Sequence, residues 1–133
     1  MKLILKSNET IQDIQHNFQQ LFSHLKPAFY KQKHALEEGN AAKQEYLHNT
    51  TLSEITGHTK DIELSFEPDM LTGTFESMLE KEYQLHIQIM RLQRGTWLQS
   101  THTDNISLSE QNQRGLDSDE IIEPLTAKDL DLE

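Results

Sequence analysis

The segment DIELSFEPDMLTGTFESMLEKEYQLHIQIM, residues 61–90, shows most clearly how the chain folds. Polar and apolar residues alternate through its first six positions, which predicts a strand with one buried face. Pro68 then ends the strand, and Asp69 is the predicted N-cap of a helix. Apolar residues recur at helical spacing up to Tyr83, and a second alternating run follows. The segment therefore predicts a strand, a helix and a strand in series.

The same order of patterns occurs at the start of the chain. Residues 2–6 predict a short strand, and residues 10–22 carry one apolar helical stripe that opens with the capping pair Thr10 and Asp13. Residues 25–31 predict the next strand, which Pro27 restricts to a sheet edge or to the strand's beginning.

The two patterns align at a spacing of 61 residues, which falls to 60 after the helix. The matched pairs are Leu3 with Leu64, Leu5 with Phe66, Phe18 with Leu79, Phe22 with Tyr83 and Leu25 with Leu85. Two strand-helix-strand halves predict an α+β two-layer sandwich, ferredoxin-like in its simplest form. The alternative is another two-layer α+β arrangement, in which the long connection adds a strand or a helix.

The remaining segments complete a single predicted domain over residues 1–115. Residues 93–96 read as a hairpin turn leading into an extra strand, and residues 107–110 as a capping box that opens a short helix, with Gly115 placed to stop it. The connection over residues 32–60 is predicted to be partly loop, mainly at residues 37–44. A capping box at Thr51 offers one helical turn there.

An acidic tail is predicted to follow, disordered over residues 116–133. It holds seven acidic residues and one lysine, and therefore carries −6 of the net charge of −10 and leaves −4 for the rest. Apolar residues interleave its acids, so a segment that folds on a partner is the alternative. Such an acidic chain is expected to bind neither nucleic acid nor an anionic membrane.

Several kinds of chemistry have no support in the sequence. The chain has no cysteine, which excludes disulfides and thiolate chemistry, and its five glycines form no phosphate-binding loop. The seven histidines lack metal-ligand spacing. We therefore expect no metal and no cofactor. The first residues do not resemble a signal peptide and no apolar run is long enough to span a bilayer, so a cytoplasmic location is expected.

The densest polar cluster is WLQSTHTDN, residues 97–105. His102 beside Asp104 has the residue types of a general base and its orienting carboxylate, with Ser100 or Thr101 as a candidate nucleophile. The alternative is structural, because these residues are turn formers that bond their own backbone before a capped helix. Trp97 likewise is either a sheet-packing residue or a ligand platform.

The stretch WLQSTHTDNISLSEQNQRG, residues 97–115, resembles the ending of a family of small bacterial proteins to which no activity is assigned. The resemblance covers residues 1–115 and implies no function. Eight positions match the motif of that family: Trp97, Thr101, Thr103, Asp104, Glu110, Gln111, Asn112 and Gly115. The candidate binding residues among them are Trp97, Thr101, Thr103, Glu110, Gln111 and Asn112.

The leading hypothesis is a non-catalytic intracellular module that binds a protein partner or a second copy of itself. It rests on the lack of a recognisable catalytic constellation, on the acidic tail and on the polar segment that carries Trp97. The alternatives are a small enzyme that uses His102 and Asp104, and a regulatory domain that senses a small molecule.

Overall fold

The computed structural model describes residues 1–31 and 44–131. Five strands and four helices form in these residues. In chain order they are β1 (Lys2–Leu5), α1 (Ile11–Leu21), β2 (Leu25–Tyr30), α2 (Leu52–Thr56), β3 (Ile62–Ser65), α3 (Thr72–Tyr83), β4 (His86–Gln93), β5 (Thr96–Gln99) and α4 (Leu108–Asp131). The predicted loop at residues 37–44 lies almost wholly outside the described residues.

The strands form two antiparallel sheets, one of β1 and β3 and one in the order β2-β4-β5. The α+β class and the extra strand are therefore confirmed, and the architecture is consistent with a two-layer sandwich. The ferredoxin-like topology is not confirmed. Each of α1 and α3 carries the chain from the two-stranded sheet to the three-stranded one, so the strands of one half do not share a sheet.

The strand pairing relates the two halves by an approximate two-fold axis. Leu3 lies opposite Leu64 in the β1-β3 ladder, and Ala28 lies opposite Gln88 in the β2-β4 ladder. These partners are 61 and 60 residues apart, which are the spacings of the sequence repeat. Because equivalent residues face each other in antiparallel strands, each ladder is its own image under the repeat.

Backbone bonds around the helix starts repeat in the same way. Three N–H groups of the first half have counterparts of the same geometry in the second half. The matched bonds are Ile11 to Thr50 with Thr72 to Ile106, Leu52 to Glu9 with Leu108 to Met70, and Ser53 to Ser7 with Ser109 to Pro68. The chain is therefore a structural duplication, in which α2 corresponds to the start of α4.

Aromatic side chains hold the halves together in one core. Phe18 of α1 lies 5.8 Å from Phe75 of α3 between ring centroids, and Phe75 lies 5.0 Å from Phe66. All three are buried, with isoleucines and leucines from both sheets around them. Burial of one aromatic side chain stabilises the folded state by about 2–3 kcal/mol, so the three rings together contribute several kcal/mol. The predicted apolar stripes therefore face each other across the two-fold axis.

Three of the helix starts agree with the capping residues expected from the sequence. Helix α4 begins just after Ser107, whose hydroxyl accepts from the Glu110 N–H. Thr10 and Asp13 form a reciprocal capping box on α1, and Thr51 and Glu54 form another on α2. The prediction of Asp69 as the cap of α3 is wrong. Its N-cap is Leu71, without a side-chain bond, because the backbone of Leu71 pairs with the distant Ser107 and fixes the start of the helix there.

The predicted end of the last helix at Gly115 is also wrong. Helix α4 continues through Gly115 to Asp131, so the predicted domain boundary falls inside a helix. A Cβ at position 115 would lie 2.6 Å from the Leu92 carbonyl oxygen and 2.7 Å from the His24 Cβ. The glycine is needed because α4 crosses strand β4 at close range, and not because the helix stops.

The turn between β4 and β5 is the predicted hairpin. Arg94 and Gly95 both have positive φ, at 51° and 80°, as the two central residues of a type I′ turn require. Among the described residues, no helix combines the length and the apolar character needed to cross a bilayer.

Candidate functional site

Gln111 is buried and lies at the centre of the candidate binding residues on α4 and the turn before it. Its side-chain nitrogen donates to the Thr103 carbonyl at 2.8 Å and to the Thr103 hydroxyl at 2.7 Å. Its oxygen accepts from Arg91 of β4 at 2.9 Å. Burial lowers the pKa of the Arg91 guanidinium, with Arg114 adding to the effect. Gln111 and Thr103 thus join α4, the short 3₁₀ turn at Thr101–Thr103 and the sheet.

Asn112 and Glu110 also make structural contacts. The Asn112 side-chain oxygen accepts from the His24 backbone N–H at 2.7 Å. The Glu110 backbone N–H donates to the Ser107 hydroxyl at 3.0 Å, as a helix cap does, and the Glu110 carboxylate accepts from Arg114 at 2.8 Å. These two predicted binding residues therefore fix the first turns of α4.

His24 makes a hydrogen-bonded chain with Ser23 and Asp119. Its Nδ1 lies 2.9 Å from the Ser23 hydroxyl, and its Nε2 contacts the Asp119 carboxylate. A Ser-His-Asp chain can activate a serine. Here, however, Ser23 follows the C-terminal end of α1, whose carbonyl groups disfavour the negative charge of an acyl-transfer intermediate. We therefore assign a structural role to these hydrogen bonds, which hold α4 against the start of β2.

His102 and Asp104 lie on either side of Thr103 in different surroundings. The His102 side chain is exposed. Asp104 lies against the first turn of α3, where its carbonyl accepts from the Gly73 N–H at 2.9 Å and a Cβ at Gly73 would meet the Asp104 Cβ at 3.0 Å. The two residues of the catalytic hypothesis therefore lie in different surroundings: His102 is exposed to solvent, and Asp104 is packed against α3.

Glu76 is a buried carboxyl group that is not among the residues predicted from the sequence. One oxygen accepts from the Ile89 backbone N–H at 2.8 Å and lies 3.4 Å from the Gln88 side-chain nitrogen. Strand β5 ends beside Ile89. There Ser100 donates to the Ile89 carbonyl, but the Ser100 carbonyl accepts from Thr103, so Glu76 supplies the acceptor for the Ile89 N–H. Burial raises the pKa of Glu76 to about 8, with the Asp104 carboxylate adding to the rise.

Trp97 is a predicted binding residue that takes no part in docking α4. It lies on β5, half-buried, and the Lys26 ammonium of β2 lies 4.5 Å from its ring centroid. This is a cation–π contact across the face of the sheet. Burial lowers the pKa of Lys26, and the nearby Glu45 carboxylate opposes that shift.

Trp97 and Lys26 form one wall of a cleft of about 490 Å³, here named the Trp97 cleft. The opposite wall is the polar side of α1, and Glu9 just before the helix also lines the cleft. The residues of α1 that line it are Gln12, Asp13, Gln15, His16, Asn17 and Gln19.

The lining residues of the Trp97 cleft fall into two groups. Some hold the fold: Gln15 donates to the Pro27 carbonyl at 2.7 Å, and Asn17 donates to the Glu9 carboxylate at 2.9 Å. By contrast, within residues 1–31 and 44–131 the side chains of Gln12, His16 and Gln19 form no hydrogen bond or ion pair. Three polar groups that can donate or accept therefore face the cleft with their capacity unused.

Of the residues that line this cleft, only Trp97 is a candidate from the sequence, as either a sheet-packing residue or a ligand platform. Lys26 and the polar side of α1 are not among the predicted site residues. The available signal was the run of amide side chains on the exposed side of that helix. Among residues 1–31 and 44–131 no group of three His, Asp or Glu side chains is arranged to hold a metal ion.

Comparisons with protein-family models, with curated proteins and with solved structures found no match to this chain.

Proposed function

We propose that this protein is a non-catalytic intracellular module that binds a polypeptide partner in the Trp97 cleft. The observation that carries the proposal is a cleft of about 490 Å³ that combines a half-buried tryptophan with three polar side chains that have no partner in the described part of the chain. Accessible aromatic side chains next to adaptable polar groups are typical of surfaces that recognise proteins.

The unpartnered groups suit a peptide backbone. Gln12 and Gln19 each carry a donor and an acceptor on one amide, which is the complement of a peptide group. From Gln12 to Gln19 the helix rises by about 10 Å, which is the length of roughly three residues of extended chain. A short extended segment thus matches the cleft in length and in hydrogen bonding.

The hydrogen bonds of the two carboxylates that line the cleft, Asp13 and Glu9, support binding rather than catalysis. Asp13 accepts from the Thr10 backbone N–H at 3.1 Å, and Glu9 accepts from the Lys6 backbone N–H at 2.9 Å. Both groups thus help to fix the start of α1. The motif residues Gln111 and Asn112 are likewise taken up in docking α4.

A selection from a random peptide library displayed on phage, with the full chain as bait, tests the proposal. We expect selected peptides to bind the protein by calorimetry and to lose about tenfold or more in affinity on Trp97→Ala, because an anchoring aromatic contributes more than about 1.4 kcal/mol. Leu98→Ala is the matched control, since Leu98 is exposed on the opposite face of β5.

Two results contradict the proposal. One is the absence of any enriched peptide. The other is a set of peptides that bind the Trp97→Ala variant as tightly as the original protein.

The open edge of β1 favours self-association as a second candidate. Met1 and Phe66 exchange two backbone bonds, so the alternation of the ladder points the backbone groups of Lys2 and Ile4 away from β3. Ile4 is 48% exposed on this strand. Light scattering tests the idea, which requires a dimer that Ile4→Lys disrupts; a monomer at all concentrations contradicts it.

A further inference from the structure

We propose that the segment bound in the Trp97 cleft is an extended cationic peptide, one of whose arginine or lysine side chains replaces the Lys26 ammonium on the Trp97 ring. This inference rests on the proposed function, because it names the chemistry of the partner at the same site.

The Trp97 ring already serves as a cation site within the chain. The Lys26 ammonium lies 4.5 Å from the ring centroid, at the distance of an energetically significant cation–π contact. Lys26 thus occupies the position on the ring that the cation of a ligand would take. An arginine fits better, because its planar guanidinium stacks on the ring and loses less hydration than an ammonium does.

When a ligand displaces Lys26 from the Trp97 ring, the Glu45 carboxylate offers an alternative partner for its ammonium group. The Glu45 carboxylate is close enough to favour the charged form of Lys26, although burial beside Trp97 disfavours that form. Moving from the ring toward Glu45 would return the ammonium to an exposed carboxylate and to water. The displacement therefore leaves no buried cation without a partner.

The charge of the opposite wall favours a cationic peptide. Glu9 and Asp13 accept hydrogen bonds only from neutral donors, namely backbone N–H groups and the Asn17 amide, and neither is in an ion pair within the described part of the chain. The cleft thus holds two carboxylates that no cation neutralises. Carboxylates of this kind receive the guanidinium fork in two parallel bonds. The net charge of −10 also attracts cationic segments from a distance.

The duplication shows that the architecture shared by the two halves does not by itself require the charges of Asp13 and Lys26. At the spacing of the repeat, Asp13 corresponds to Thr74, and Lys26 corresponds to His86. Both halves form the same backbone bonds, yet only the first half places a carboxylate and an ammonium at these positions. The packing that the two halves have in common therefore does not explain why residue 13 is an aspartate and residue 26 a lysine.

Two synthetic peptides without tryptophan test the inference. One carries arginine at alternate positions separated by serine, and the other has glutamine in place of each arginine. Trp97 is the single tryptophan, so its fluorescence reports binding directly. We expect the arginine peptide to change the emission and to bind about tenfold more tightly than the glutamine peptide, an advantage that falls steeply between about 50 mM and 500 mM salt.

Variants locate the charge recognition. Asp13→Asn is expected to weaken the arginine peptide about threefold, in line with a partly exposed ion pair. Glu54→Gln is the matched control, because Glu54 holds the corresponding place in the capping box of α2 and does not line the cleft. Lys26→Met is expected to tighten binding, since it removes the competing ammonium. A merely structural role of Lys26 would not produce that gain.

Equal binding of the two peptides, no binding of either, or an equal loss on Asp13→Asn and Glu54→Gln would each overturn the inference. The proposed function fails separately, when peptides from the random library bind without need of Trp97.

Discussion

The Glu76→Gln variant is expected to be more stable than the original protein at pH 8 and to lose most of the pH dependence of its folding free energy between about pH 5 and pH 8. The pKa of Glu76 rises in the folded chain from 4.5 to about 8 because the group is buried. Between these values the folded state holds a proton that the unfolded state has lost. The contribution of Glu76 to stability is therefore greatest below about pH 4.5 and is lost as the pH rises to about 8.

The size of this effect follows from the shift. A difference of this size corresponds to a loss of at most roughly 5 kcal/mol across the interval, since each unit is worth about 1.4 kcal/mol. A glutamine keeps an oxygen for the Ile89 N–H. Its nitrogen can donate to the Gln88 side-chain oxygen, which is buried and without a partner within the described part of the chain.

Urea unfolding followed by circular dichroism from about pH 5 to about pH 9 measures the effect. Glu82→Gln is the control, because Glu82 is exposed on the same helix. The expectation concerns the difference between variant and original protein, which removes the contributions of histidines. Parallel pH profiles for Glu76→Gln and the original protein would contradict the account of the buried carboxyl.

The Gly115→Ala variant is expected to lower the free energy of unfolding by roughly 1–3 kcal/mol, because overpacking at a close helix-strand crossing has costs of this size. The new methyl group would meet the Leu92 carbonyl oxygen and the His24 Cβ. Neither atom is the end of a flexible side chain. Helix α4 must therefore shift, and the hydrogen bonds that the Asn112 and Asp119 oxygens make with His24 shift with it.

The sign of this change separates two explanations of the glycine. Inside an unconstrained helix, alanine is about 1 kcal/mol more favourable than glycine. Thermal unfolding of Gly115→Ala, with Gln113→Ala as an exposed control on α4, shows which effect is larger. A higher melting temperature for Gly115→Ala would mean that α4 does not cross β4 at the distance described.

The secondary structure was largely predictable because its signals are local. The alternation at residues 62–66 and the capping boxes at Thr10 and Thr51 each depend on residues within one turn or strand. The duplication was also visible, because the core positions of both halves follow the same spacing. The topology was not, since the choice of β3 as the partner of β1 depends on register between residues about sixty positions apart.

The wrong predictions share this physical origin. A glycine after a helical stripe signals a helix end, but it also permits close packing, and only the crossing of α4 over Leu92 distinguishes the two. The cap of α3 moved from Asp69 to Leu71 because a distant backbone bridge fixed it.

The candidate site could be predicted only in part. Trp97 was recognisable as an aromatic platform, but the polar motif residues beside it, Gln111 and Asn112, are taken up in docking α4. The wall that faces Trp97 comes from α1, about eighty residues earlier in the chain. No local pattern connects the two, because the fold alone brings them together.

The most direct test of the Trp97 cleft as the binding site is an amide proton–nitrogen NMR spectrum of the full chain, recorded with and without a peptide selected from the library. Trp97 gives the single indole N–H signal. The account predicts that this signal moves together with the amides of α1 and Lys26. An unmoved indole signal, with changes instead around Thr103 and Asp104, would contradict it.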